Sequence, residues 1–193
     1  MEKIILATSS PYRQEAFANL DIPFEVEGSG VDETILERNN PEELVKELAK
    51  MKAEAVAQRH QKGIVIGFDS VAYFSGEILE KPESREEAFN RLKKLSGQDH
   101  AYYTGVHMID ITAGRVLSDV SKTDISMREI SEKEINKYLD SDDRYTTFAL
   151  GYDASGKYSA SFIGKASGNY YGLLAGIPLD IIVSMLKEIN HDS

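Results

Sequence analysis

Two groups of residues have the types and spacing to do chemistry. The first is the run Ser9-Ser10-Pro11-Tyr12-Arg13. Ser10 fits the N-cap of a helix and Pro11 its first turn, where a missing N–H costs nothing. Free N–H groups at a helix start, the helix dipole, a hydroxyl and an arginine fork then converge on one small volume, in outline an anion pocket. A capped helix carrying a solvated arginine is the plainer reading of the same residues.

The second group is dispersed: Asp32, Glu33, Lys52, Asp69 and Lys81. Hard carboxylate oxygens such as those of Glu33 and Asp69 suit magnesium or manganese, which bind through one or two carboxylates plus substrate phosphate. Asp69 closes the apolar run from Gly63 to Phe68, at the kind of position where open α/β sheets present functional groups. Lys81 precedes Pro82, which biases it toward an extended backbone. Taken singly, each of these residues also reads as a surface charge or turn former.

Composition narrows the chemistry. The chain has no cysteine, which excludes thiolate nucleophiles, disulfides and Cys-ligated zinc. His60, His100, His107 and His191 have no metal-binding spacing and read as structural or surface residues. The net charge of -10, from 22 basic and 32 acidic residues, disfavours polymeric nucleic acid but leaves room for a small anion held by local cations. Phosphate-loop, dinucleotide and serine-hydrolase motifs are missing. The longest uncharged stretch, Ala166 to Leu179, is too short to span a bilayer, and the N-terminus lacks a secretory pattern, so a cytoplasmic location is expected.

The elements that must position these residues alternate early in the chain. Ile4 to Ala7 reads as a strand, Gln14 to Leu20 as a helix and Phe24 to Glu27 as a second strand. Asn40-Pro41-Glu42-Glu43 opens a long helix to about Gln61. Ile64 to Asp69 is β-branched and apolar, a buried strand that Val71 to Phe74 extends. Ser84-Arg85-Glu86-Glu87 and Ser131-Glu132-Lys133-Glu134 read as capping boxes, on either side of a hairpin whose turn is Thr112-Ala113-Gly114. The last third predicts a strand from Ser159 to Gly164, a loop from Gly168 to Gly172 and a helix from Leu179 to Ile189. With 193 residues and 41% hydrophobic content, one α/β domain with a mixed twisted sheet, in two close lobes, is expected over residues 1–193.

Several separated segments, read in order, resemble the Maf (septum-formation) family of nucleotide pyrophosphatases. They are Leu6-Ala7-Thr8-Ser9-Ser10-Pro11 with Arg13, Asp32-Glu33, Lys52-Ala53, Gly67-Phe68-Asp69-Ser70-Val71, Lys81-Pro82, Tyr103-Thr104-Gly105-Val106 and Gly176-Ile177-Pro178-Leu179. The resemblance implies two lobes around a deep cleft, as in inosine triphosphate pyrophosphatases, and often a homodimer. It implies hydrolysis of nucleoside triphosphates, including modified ones, to the monophosphate and pyrophosphate with Mg²⁺ or Mn²⁺. By the same resemblance, Ser10 and Arg13 hold phosphate, Lys52 and Lys81 neutralise it, Glu33 and Asp69 bind the metal, and Asp69 activates water.

Base choice is set against this background by departures from the family. The branch that prefers dTTP and UTP has an arginine after Ser-Pro, a threonine after the Asp and a glutamine later. Tyr12, Ser70 and, by gapless alignment, Gly156 stand there. Tyr12 is closer to the tryptophan of the branch that hydrolyses 7-methyl-GTP, and an aromatic ring there can stack on a base. A nucleotide-binding septation regulator without turnover is the rival from another class, and retention of Ser10, Arg13, Lys52, Asp69 and Lys81 speaks against it.

Overall fold

In a computed structural model, residues 2–156 and 158–191 are described, without the side chains of Asn190 and His191. The limits of the expected domain and the reading of His191 as structural therefore lie outside the described residues. Strands β1 (Ile4–Ala7), β2 (Phe24–Val26), β3 (Ile64–Phe74), β4 (Glu77–Leu79), β5 (Asp99–Asp110), β6 (Arg115–Met127) and β7 (Ile163–Gly168) form one seven-stranded sheet. Its order is β2-β1-β3-β5-β6-β7, with β4 paired to β3 alone. The β1–β2 and β1–β3 pairs are parallel and the others antiparallel, the mixed sheet that the sequence predicts.

Strand β3 crosses two cores. Its first half, with Ile64, Ile66 and Phe68, packs with Ile4, Leu6 and Phe17 and against the C-terminal helix α6 (Leu179–His191) through Ile182 and Leu186. Farther on, Ala72 belongs to a second core with Leu92 and Leu95 of α3 (Arg85–Leu95) and Ile135 and Tyr138 of α4 (Glu132–Ser141). These cores are the two lobes, and Asp69 lies on the strand between them.

Helix α2 (Pro41–Ala57) covers the opposite face of the sheet. Asn40 caps it by accepting from the N–H groups of Glu42 and Glu43. Leu44, Val45, Leu48, Ala49, Lys52, Ala53 and Val56 form its buried stripe, with the spacing of an amphipathic helix. Gly67 brings its backbone unusually close: a Cβ there would lie 2.2 Å from the Ala49 carbonyl oxygen. The missing side chain lowers α2 onto β3 and brings Lys52 within reach of Asp69.

Several boundaries depart from the sequence reading. Helix α2 ends at Ala57 rather than about Gln61, and α1 (Pro11–Ala18), which starts at the proline as expected, ends at Ala18 rather than Leu20. Ser159–Phe162 is a short 3-10 turn and the strand follows it at Ile163–Gly168. Ser159-Ala160-Ser161-Phe162 is too short and too polar to declare a period, and Ser159 spends its hydroxyl on the Asp153 carbonyl at 2.8 Å. The expected loop Gly168 to Gly172 gives way at Tyr170 to helix α5 (Tyr170–Ala175), capped by Asn169, which accepts from the Gly172 N–H at 2.7 Å. The Ser131/Glu134 capping box is complete, whereas Glu87 takes the Glu83 N–H and leaves Ser84 a one-sided cap.

Candidate active site

The cleft begins where the sheet has a gap. On one edge of β3, pairing with β1 stops at Gly67, opposite Ala7, and pairing with β4 begins at Ala72, opposite Leu79. The residues between have no strand beside them on that edge, while β5 pairs them on the other. Strand alternation then sends Asp69 and Val71 toward α2, and Ser70 toward α1 and α5. Asp69 is thus within a strand rather than at its end; the neighbouring strand is what stops. A cleft of about 1200 Å³ opens here, and Ser10, Tyr12, Arg13, Glu33, Lys52, Asp69, Ser70 and Lys81 all line it.

On the α2 side, the Lys52 ammonium lies 2.7 Å from Asp69 Oδ1 and 2.9 Å from Glu33 Oε1. Asp69 and Lys52 are only 6% and 8% exposed, whereas Glu33 stands on the wet rim. Burial pushes the Asp69 carboxyl above its ordinary range, with the nearby charges of Lys52 and Arg13 pulling the other way. A carboxylate so placed accepts a proton more readily than a solvated one. Asp32, grouped with these residues on sequence grounds, is spent locally: it accepts from the N–H and hydroxyl of Thr34 at 2.9 and 2.7 Å.

The other side of β3 faces Arg13. Arg13 Nε donates to the Gly176 carbonyl at 2.8 Å and Nη2 donates to Ser70 Oγ at 3.1 Å. Ser70 Oγ lies 3.0 Å from Thr104 Oγ1. Gly176 ends α5 in the left-handed region at φ 64°, and a Cβ there would lie 2.8 Å from Ser70 Oγ, so only glycine admits this arrangement. The guanidinium is held by two bonds, with its remaining N–H groups uncommitted among the described residues. Ser10 occupies the N-cap position but makes no side-chain cap; its N–H donates to Thr8 Oγ1 at 3.1 Å, which leaves the hydroxyl for a ligand. Lys81 lies exposed on the facing rim.

The far end of the cleft differs in kind. Tyr12 meets Phe148 with ring centroids 5.2 Å apart, and Leu150, Tyr152, Ala154 and Leu173 continue the wall. Gly156, the position reached by gapless alignment, does not line it; Thr146 to Leu150, Tyr152 and Ala154 do. Phe148 was not legible from sequence because no motif or period marks it. Thr8 and Thr104 were legible, since both fall within the quoted segments.

Among the described residues, no three Asp, Glu or His side chains cluster as a ready-made metal cage. Glu33 and Asp69, bridged by one ammonium, instead fit a hard divalent ion that completes its shell with phosphate oxygens. Three histidines are elsewhere: His60 pairs with Glu27, His100 with Tyr152, and His107 with Ser118. No helix among the described residues is long and apolar enough to cross a membrane.

The chain is 36% identical over 192 residues to the dTTP/UTP pyrophosphatase of Bacillus mycoides, covering 100% of this chain and 98% of that one. It is equally identical to the protein of the same name from Bacillus cereus, covering 92% of it. Among solved structures it is similar to the Ham1 protein of Staphylococcus aureus, with 17% identity and a TM-score of 0.47 over 66% of this chain and 73% of that one. The family model described as Maf-like protein matches residues 3–189, and with it every cleft residue named above; the chain belongs to the Maf-like protein family.

Proposed function

We propose that the protein is a nucleoside triphosphate pyrophosphatase, converting a nucleoside triphosphate and water to the monophosphate and pyrophosphate. The observation that carries this reading is the Lys52 ammonium held between Asp69 and Glu33 at the floor of a cleft whose other side presents Arg13. Cations on both sides suit a polyphosphate, and a buried carboxylate among them suits the activation of water.

In this reading Arg13, the Ser10 hydroxyl and Lys81 hold and neutralise the phosphates. Asp69 accepts the proton of a water whose oxygen attacks the α-phosphorus. The α,β-bridging P–O bond breaks and its electron pair leaves with pyrophosphate, whose charge Lys52 and Lys81 meet. Glu33 and Asp69 are the residues to hold Mg²⁺ or Mn²⁺, which would supply further neutralisation of the triphosphate. Ser70 holds Arg13 in place, and Tyr12 lies toward the base.

The names of the relatives favour dTTP and UTP as substrates. Action on free nucleotides in the cytoplasm, as a homodimer, completes the proposal; the family resemblance is its support. Pyrophosphate release measured across a panel of normal and modified triphosphates with Mg²⁺ or Mn²⁺ tests it. Pyrophosphate from dTTP and UTP is expected, and nucleoside diphosphate plus orthophosphate would overturn the reading.

A further inference from the structure

The wall opposite α1 carries an aromatic ring that the reaction described above does not use. Phe148 is half-buried, lines the cleft, and lies 5.2 Å from Tyr12 with the rings tilted 45°. At that separation no base fits between the two rings, because a sandwiched base needs about twice the usual stacking distance. The rings instead form one continuous aromatic ledge. Around it the wall is mostly apolar, with the hydroxyl of Thr147 already donating to the Arg144 carbonyl at 2.7 Å.

The ledge is braced from behind. Phe148 follows a 3-10 turn, Asp143–Thr147, which has few backbone bonds of its own. Arg144 within that turn forks onto Asp142 through Nε at 3.0 Å and Nη2 at 2.8 Å, and reaches the buried Asp153 at 3.3 Å. Its guanidinium carbon stands 6.0 Å from the centre of the Phe148 ring. On the other side of Phe148, Arg91 of α3 donates to the Ala149 carbonyl at 2.7 Å and also to the Glu80 carbonyl, next to Lys81. An irregular segment tied at both ends by arginines holds its ring in one place.

We infer that Phe148 is a specificity-determining residue that, with Tyr12, stacks one face of the nucleobase, and that Arg144 is the positioning residue that holds the ring there. This rests on the nucleotide reading of the same cleft. Stacking rewards the presence of a base, whereas the cations at the other end bind the phosphate chain whatever base it carries.

The test measures binding rather than turnover. Affinities for α,β-methylene analogues of dTTP, UTP, CTP, GTP and ATP, and for inorganic tripolyphosphate, are measured by calorimetry with Mg²⁺. Wild type is expected to bind its best nucleotide more tightly than tripolyphosphate. Phe148→Ala should cut that preference by about 5-fold or more, the scale of one lost stacking contact, with tripolyphosphate affinity unchanged. Phe148→Leu, which keeps the apolar bulk and removes the ring, should do the same should the alanine variant fold poorly. Phe148→Tyr should retain the preference. Arg144→Ala should lower it partially, and Arg144→Lys should not restore it, because lysine cannot reproduce the fork onto Asp142. An unchanged ratio in both Phe148→Ala and Phe148→Leu would overturn the inference, as would a wild type indifferent to the base. A wild type that binds nucleotide through this ledge yet releases no pyrophosphate would sink the catalytic reading and leave the ledge standing.

Discussion

The two ends of the cleft are built from different materials. At one end, Lys52, Asp69, Glu33 and Arg13 come from well-formed elements or their edges and are fixed by charged contacts of 2.7 to 3.1 Å. At the other, Tyr12 of α1 meets Phe148 ring to ring at 5.2 Å, and Phe148 stands on a segment with little regular structure. In the proposed reaction the reacting atoms would be held by the sheet and its covering helix, and the base would be met by a wall that can vary without disturbing them. Regular elements position groups within tight tolerances, and irregular segments supply diversity.

The sharpest ways to break that division lie at the charged end. Removing divalent metal with EDTA should abolish turnover, and adding Mg²⁺ or Mn²⁺ should restore it; full activity in EDTA would take Glu33 and Asp69 out of any metal role. Asp69→Asn keeps the size and removes the proton acceptor, and should lower kcat by at least about 100-fold for every substrate alike. Near-wild-type turnover in a folded Asp69→Asn protein would move the base elsewhere, with Glu33 next in reach. Lys81→Ala should raise KM and lower kcat/KM without regard to base, as expected of a rim cation that meets phosphate.

At the apolar end effects should be smaller and base-dependent. Tyr12→Ala is expected to lower kcat/KM for the best substrate several-fold, on the order of one stacking contact, with Tyr12→Trp preserving it. A substrate profile unchanged by Tyr12→Ala would leave Phe148 alone as the stacking surface.

The smallest effect expected falls on the helix that leads into the base wall. Glu134 closes the α4 capping box and pairs with Arg128, and its carboxyl is held down to about 2, first by the Ser131 N–H and then by Arg128. Its folded-state value is depressed, so its contribution to stability is fully present above about 4.5 and is lost as pH falls toward 2. The Tm gap between wild type and Glu134→Gln should accordingly be modest at pH 7 and close by pH 2. A gap that stayed constant across that window would show that the carboxylate charge is irrelevant to the cap.

The charged end was legible in the sequence, and of the apolar end only Tyr12 was. Ser10, Arg13, Glu33, Lys52, Asp69, Ser70 and Lys81 all reach one cleft, because chemical type and segment order leave marks that survive without coordinates. The elements carrying them were equally readable: β1 and β3 open on buried apolar runs, and α2 has a buried stripe and an explicit cap. What could not be read was the gap beside Asp69, which exists because β1 ends at Ala7 and β4, ending at Leu79, pairs with β3 only from Ala72 onward. Phe148 was hidden for a related reason. It stands between a 3-10 turn and an irregular stretch, and one aromatic residue without a period looks the same in a cleft as in a core.

The central claim is that the charged end directs water at the α-phosphorus, and isotope placement tests it most directly. Hydrolysis of dTTP in water enriched in ¹⁸O, followed by mass spectrometry of both products, should put the label in the nucleoside monophosphate and leave pyrophosphate unlabelled. Label in the pyrophosphate, or in orthophosphate beside a nucleoside diphosphate, would contradict the account by placing the attack at a different phosphorus.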